Sequence, residues 1–224
     1  MSHTYMPISI ALTGRDCLVV GGGHVALRKV ETLLDYDTKV TVVAPEADPK
    51  LEMFAKHKRI TLEKRPYKSP EAAHYGFVIS ASDDMGLNKQ VCEDCRKVGV
   101  LVNVADAPAL CDFIFPAVVR RDCLTAAIST DGKAPFMSGH LRHVLETIFP
   151  RHWEKLMQLA AAYRKQVQQR WEDDSLRKNA AFERFVEADW NTMLKDMSDD
   201  EISYRLKQMI ELEPASQADS ETDS

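Results

Sequence analysis

A parallel α/β sheet, then a small α+β segment, then an all-helical region is the architecture that three observations in this sequence predict. Short apolar strands alternate with helices of 3.6-residue apolar period through the first half. A glycine triplet, Gly21-Gly22-Gly23, sits where the first of those strands ends and the first helix begins. Beyond Pro150 the large apolar residues keep helical spacing throughout. These features divide the 224 residues into a sheet domain over 1–113, a linking α+β segment over 114–150, a helical domain over 151–212 and an acidic tail over 213–224.

The first strand is Cys17-Leu18-Val19-Val20, and the helix after it carries Val25, Val30, Leu33 and Leu34 on one face. Between them Gly21-x-Gly23-x-x-Ala26 fits the G-x-G-x-x-G/A dinucleotide fingerprint. The first glycine permits the tight turn, the second lets backbone approach a pyrophosphate, and the small third residue lets helix pack on strand. The phosphate then meets free N–H groups and the positive end of the helix dipole. A second strand, Lys39–Val43, ends at Ala44-Pro45-Glu46. Glu46 lies near the place, roughly 20 residues past the glycines, where an acid takes the ribose 2′-hydroxyl. No arginine follows directly to receive a 2′-phosphate, so NAD is expected rather than NADP. The alternative for Glu46 is a solvated loop carboxylate, with backbone holding the ribose.

A helix is expected over Asp48–Lys58, a short strand over Ile60–Glu63, a buried strand over Phe77–Ala81 and a helix over Met85–Val98. A further buried strand covers Val100–Val104. This is the rhythm of a Rossmann-like sheet with helices on both faces, and ligands bind at the carboxyl ends of such strands. Those ends carry Gly21–Gly23, Ala44–Glu46, Ser82–Asp84 and Asn103–Asp106. The cofactor contacts expected there are Gly21, Gly23, His24, Val25, Ala44, Pro45, Glu46, Ser82, Asp83 and Asn103. Arg28 and Lys29, early in the first helix, face phosphate or solvent.

After residue 113 two strands are expected, Phe115–Val119 and Leu124–Thr130, joined by Arg120-Arg121-Asp122. A turn over Thr130–Pro135 leads to a helix over Met137–Phe149, which Pro150 stops. Trp153, Leu156, Met157, Ala160, Tyr163, Val167 and Trp171 form one helical stripe, and Phe182, Phe185, Val186, Met193 and Leu194 another. The aromatic members read as core rather than as a stacking platform. Ser198-Asp199-Asp200-Glu201 is a capping box that opens the last helix.

Composition narrows the class. The net charge of −5 argues against general nucleic-acid binding. No apolar run approaches the ~20 residues of a membrane span, and Met1–Gly14 lacks the basic and apolar segments of a secretory signal. Cys17, Cys92, Cys95, Cys111 and Cys123 are odd in number and scattered, as in a cytoplasmic protein with reduced thiols. Cys92-x-x-Cys95 falls inside a helical pattern with no second ligand pair, so no fixed metal site is expected. The stretch Glu213–Ser224, with acids and serines but no lysine or arginine, is expected to be disordered.

Several linked motifs resemble one family. Gly21-Gly22-Gly23-His24-Val25-Ala26-Leu27-Arg28-Lys29 looks like the GGGxVAxRK signature of precorrin-2 dehydrogenase/sirohydrochlorin ferrochelatase. That activity belongs to stand-alone sirohaem synthases and to the N-terminal half of the trifunctional bacterial enzyme. Asn103–Pro108 is similar to the family's NVxDxP, Phe113–Pro116 to its F-I-x-P, and Ala127–Pro135 to its A-V-S-S-G-G-x-S-P loop. Order and spacing agree from about Met6 to about Ile210.

The resemblance implies NAD-dependent oxidation of precorrin-2 to sirohydrochlorin. It makes Asp106, the acid of NVxDxP, the base that takes the accompanying proton. The alternative for Asp106 is a capping role in the turn before Pro108. A polycarboxylate tetrapyrrole asks for local cations, and Arg120, Arg121, Lys133, His140, Arg142 and His143 gather in the 115–145 segment. The substrate contacts expected are Arg120, Ser129, Thr130, Lys133 and His140. Insertion of Fe2+ or Co2+ as a second step would use Asp106 again, with His140 and His143 as a delivery pair. Thr130 stands where trifunctional members have a phosphorylatable serine, and Asp131 and Lys133 replace small residues, so regulation by phosphate is not carried over. The family also implies a homodimer built largely from residues 114–150. An NAD-sensing module without catalysis is the main rival. A hydroxy-acid dehydrogenase is a weaker one, because no His or Lys–Tyr set follows the fingerprint half.

Overall fold

The computed structural model describes residues 4–213 and resolves them into two compact units. One runs to Pro116 and takes in Ser129–Pro135; the other takes in Ala117–Ile128 and the described residues from Phe136 on. All but Glu213 of the acidic tail lies outside the described residues.

The first unit is a five-stranded parallel sheet in the order β3-β2-β1-β4-β5. Its strands are β1 (Asp16–Val20), β2 (Lys39–Val43), β3 (Thr61–Glu63), β4 (Phe77–Ser80) and β5 (Leu101–Val104). Strand alternation builds two cores. Cys17, Val19, Val42 and Ile79 face the layer formed by α1 (His24–Leu34) and α2 (Pro49–Lys56). Leu18, Val20, Val43, Val78, Val102 and Val104 face α3 (Met85–Val98). Burial on both faces is why the central strands read as unbroken apolar runs. The chain moves outward from β1 through β2 to β3, then returns to β4 on the other side of β1. That reversal is the topological switch point, and its crevice opens beyond the carboxyl ends of the strands.

Local chemistry sets the helix ends. Asp48 accepts the Lys50 amide and Pro49 opens α2. Asp84 accepts the Gly86 and Leu87 amides at the start of α3, and Gly99 ends that helix in the left-handed region. Cys92 and Cys95 both lie buried on α3, where burial raises both thiols, Cys95 to about 12. They are packing residues in the protonated state.

In the second unit β6 (Ala117–Arg121) pairs antiparallel with β7 (Leu124–Ile128). The expected strand from Phe115 begins two residues later, because Pro116 has no N–H to give a ladder. Helices α4 (Pro135–Ile148), α5 (Trp153–Arg170), α6 (Ser175–Glu187), α7 (Trp190–Asp196) and α8 (Asp199–Glu211) follow. The aromatic stripe is core. Tyr163, Phe185 and Trp190 are buried with ring centroids 4.9 and 4.4 Å apart. The Tyr163 hydroxyl donates to Ala181 O and the Trp190 indole N–H to Phe185 O. The capping box at Ser198 and Glu201 is complete. No described helix is long and apolar enough to cross a membrane.

Candidate active site

The glycine turn divides its work among three residues. Gly21 has φ +118°, and its N–H donates to Val43 O at 3.0 Å. A Cβ there would lie 2.2 Å from Ala81 O, so this glycine makes the turn and seats it on the end of β4. A Cβ on Gly22 would lie 2.0 Å from Glu46 O, while the Asp48 amide donates to Gly22 O at 2.7 Å. Gly22, the middle residue that the fingerprint leaves unspecified, therefore locks the turn to the loop after β2. Sequence reasoning missed it, although the unbroken triplet was the signal. A Cβ on Gly23 would meet nothing within 4 Å among the described residues. It caps α1 in an extended conformation without a side-chain bond, and the first helical bond runs from Leu27 N–H to Gly23 O. The amides of His24, Val25 and Ala26 thus have no partner within the helix, and the first turn carries no acid. This geometry fits a dinucleotide pyrophosphate: open space beside Gly23, unpaired donors, and the positive end of a helix.

The neighbouring strand ends supply the rest of the rim. Ala44 is buried, with its N–H on Glu63 O at 3.2 Å, while Pro45 and Glu46 are exposed. After β4, the Ser82 Oγ accepts the Asp84 amide at 3.1 Å, and Asp83 is exposed. That turn is held from behind by Asn88, which is 2% exposed on α3. Asn88 Oδ1 accepts Ser80 Oγ–H at 2.7 Å and the Ser82 amide at 3.4 Å, and its Nδ2 donates to Ser82 O at 2.8 Å. Asn88 was also missed; an asparagine on the apolar face between Leu87 and Val91 was the available signal. Replacing it with leucine is expected to cost about 1–3 kcal/mol, because Ser80 and Ser82 lose buried partners. Urea unfolding of the variant checks this.

Asn103, an expected cofactor contact, is tied to the segment that follows β5. It lies within β5, 6% exposed, and its Nδ2 donates to Phe113 O at 2.9 Å. Its amide nitrogen therefore fastens the 111–113 segment to the sheet.

Asp106 stands two residues beyond β5 with φ +56°, exposed. Among the described residues its carboxylate has no hydrogen bond or ion pair, and the following 3-10 turn is N-capped by Ala107 without a side-chain bond. The capping alternative is not what the structure displays. The turn is clasped from inside by Cys111, 3% exposed, whose Sγ–H lies 3.1 Å from Val104 O and 3.4 Å from Ala107 O. The Val104 amide in turn donates to that sulfur at 3.2 Å. Lys29 is half-buried with Nζ 4.0 Å above the Phe115 ring. Burial, and then the Arg28 charge, hold its ammonium below the usual lysine range, while Cys111 and Asp106 pull the other way. Lys29 thus belongs to the Asp106 side of the first unit.

The Ser129–Pro135 loop belongs to the same unit. Ser129 Oγ accepts the Asp131 amide at 3.1 Å and Thr130 Oγ1 the Ala134 amide at 3.2 Å, so both hydroxyl oxygens shape the loop. Lys133 is exposed. Arg120 and His140 are exposed in the second unit. There Arg121 donates to Phe149 O at 2.8 Å, and Arg142 and His143 share Glu146 at 3.0 and 3.2 Å. Among the described residues no group of His, Cys, Asp and Glu is placed to hold a metal ion.

Comparison with known proteins sorts these observations. The NAD(P)-binding family model NAD_binding_7 matches residues 8–117, the whole of the first unit's sheet. A siroheme synthase of Nitrosococcus oceani is 42% identical over 74% of the chain. Across about three quarters of its own length the chain is similar to siroheme synthases. Siroheme synthases of Methylococcus capsulatus and Pseudomonas putida are 39% and 41% identical over 74% and 78% of it. The chain spans about a third of these relatives' length, 35% to 38%. Among solved structures, SirC, a precorrin-2 dehydrogenase, matches with TM-score 0.74 over 92% of this chain and 98% of its own, at 24% identity. That likeness establishes a shared fold. The expected parallel sheet and helical region are both present.

Proposed function

We propose that this chain oxidises precorrin-2 to sirohydrochlorin with NAD as the acceptor, a step in siroheme synthesis. The observation that carries this reading is one sheet edge on which an anion-accepting glycine turn and an unpaired, exposed carboxylate both stand. Bound at that turn, the dinucleotide would supply the acceptor for one hydride from the substrate. The second hydrogen leaves as a proton, and Asp106 Oδ takes it. Gly21, Gly23, His24 and Val25 hold the pyrophosphate, and Glu46 the ribose. Ala44, Pro45, Ser82 and Asp83 line the same edge. Lys133 answers the substrate's carboxylates, with Ser129 and Thr130 shaping the loop that carries it. Fe2+ or Co2+ enters this reading as a substrate, with Asp106 accepting the pyrrole protons that insertion releases. A sensing module would have no use for a free carboxylate held in a left-handed turn by a buried thiol.

Anaerobic incubation of the purified protein with precorrin-2 and NAD+ tests the reading. NADH and sirohydrochlorin should appear in equal amounts. NAD+ binding without turnover would return the sensing alternative to first place. Addition of Fe2+ to the completed reaction then reports on insertion through loss of the sirohydrochlorin spectrum.

The same reading includes a homodimer. Met137, Leu141, Val144 and Ile148 are 40–52% exposed at alternating spacings of four and three along α4, with Phe136 beside them at 74%, and no α4 residue is buried. That is the spacing of a seam that packs against another helix. A second copy of this chain is the occupant we propose. Leu141→Glu should convert the dimer to a monomer in sedimentation velocity, with the circular dichroism spectrum retained. A native chain that sediments as a monomer would refute the dimer.

A further inference from the structure

Strand pairing brings to the adenosine end of the rim a cation that sequence order hides. In the sequence no arginine directly follows Glu46. In the fold β3 runs beside β2 with Val43 opposite Glu63, and the Ala44 amide donates to Glu63 O. Lys64 and Arg65 therefore leave the sheet next to Ala44, Pro45 and Glu46. This is the edge where an acid takes a ribose 2′-hydroxyl and an arginine takes a 2′-phosphate.

Arg65 is fully engaged elsewhere. Its Nε–H donates to Glu63 Oε2 at 2.8 Å. Nη1 donates to Glu71 Oε1 at 2.9 Å and to Pro66 O at 3.1 Å. Nη2 donates to Glu71 Oε2 at 2.6 Å and again to Glu63. These contacts use all five guanidinium donors. Glu71 is itself fixed, accepting the Lys68 amide at 2.6 Å at the start of a 3-10 turn, with 18% of its side chain exposed. Lys64 is paired with Glu52 at 2.5 Å. The cluster of Arg65 with two carboxylates carries net negative charge, and Glu46 adds to it nearby.

We infer that Glu63 and Glu71 are specificity residues: by occupying Arg65 they withhold from NADP the guanidinium that would bind its 2′-phosphate, and so make the site select NAD. This rests on the reading of the glycine turn as the NAD site. The bidentate Arg65–Glu71 pair must be broken before Arg65 meets a phosphate, and two carboxylates already stand where that dianion would sit. An NAD ribose makes no such demand.

The test is calorimetric titration of the full chain with NAD+ and NADP+. In Glu63→Gln/Glu71→Gln the ratio of NADP+ to NAD+ affinity should rise about tenfold or more, the value of a gained charge-assisted contact. Adding Arg65→Met to that variant should abolish the gain. An unchanged ratio in the double variant, or a gain that survives Arg65→Met, overturns the inference. Should loss of the Glu71 anchor unfold the chain, Glu63→Gln alone leaves the Lys68 contact intact and should move the ratio in the same direction by less. Failure of the native chain to bind NAD+ at all would overturn the cofactor reading itself, which is a separate result.

Discussion

Asp106→Asn is expected to slow NADH formation from precorrin-2 by about 10²- to 10⁴-fold, the usual worth of a positioned proton acceptor, while NAD+ still binds. Asparagine is the right replacement because the position has φ +56°, a conformation that Asn tolerates nearly as well as Asp and alanine does not. Cys111 clasps the flanking Val104 and Ala107 backbone without touching the side chain at 106, so the turn should keep its shape. What changes is the loss of an acceptor that carries no competing hydrogen bond. The measurement is steady-state NADH production together with a binding titration. A variant that turns over normally would remove Asp106 from the chemistry. One that has also lost NAD+ would mean the turn serves the cofactor instead.

The glycine turn yields the second large effect, as a contrast between neighbours. Gly21→Ala places a Cβ 2.2 Å from the Ala81 carbonyl at φ +118°, combining backbone strain with overpacking. About 3 kcal/mol or more of stability should go, with NAD+ binding. Gly23→Ala meets no protein atom within 4 Å and has an ordinary extended backbone. Its stability should stay within about 1 kcal/mol of the native value, the difference between glycine and alanine at an N-cap. NAD+ affinity should nonetheless fall by about tenfold or more, since the methyl group fills the space through which backbone approaches the pyrophosphate. Urea denaturation and NAD+ titration of both variants separate the two roles. Unchanged NAD+ affinity in Gly23→Ala would place the phosphates elsewhere.

Features that depend on a residue's near neighbours were legible in the sequence. Alternating apolar runs marked β1, β2, β4 and β5, because a strand buried on both faces must be apolar throughout. The Ser198–Glu201 box announced its helix, since a cap acts within three residues. Gly21 and Gly23 announced the anion turn for the same reason. Their meaning as a family signature came from several such local motifs in a fixed order. The placement of Asp106 at a strand end likewise followed from where an apolar run stops.

Contacts that join distant segments were decided by the strand order β3-β2-β1-β4-β5. Arg65 reaches the edge beside Glu46 because β3 pairs with β2, not because of its distance along the chain. Glu71 takes hold of it across the connection that follows. Gly22 is indispensable because the loop after β2 folds back onto it. Asn88 braces the Ser80–Ser82 turn from α3, and Asn103 ties Phe113 to the sheet through its amide nitrogen. In each case the partner is chosen by which backbone groups a neighbouring strand or helix presents at hydrogen-bonding distance. Pattern and propensity say that a residue is buried or capped; pairing and packing alone say against what.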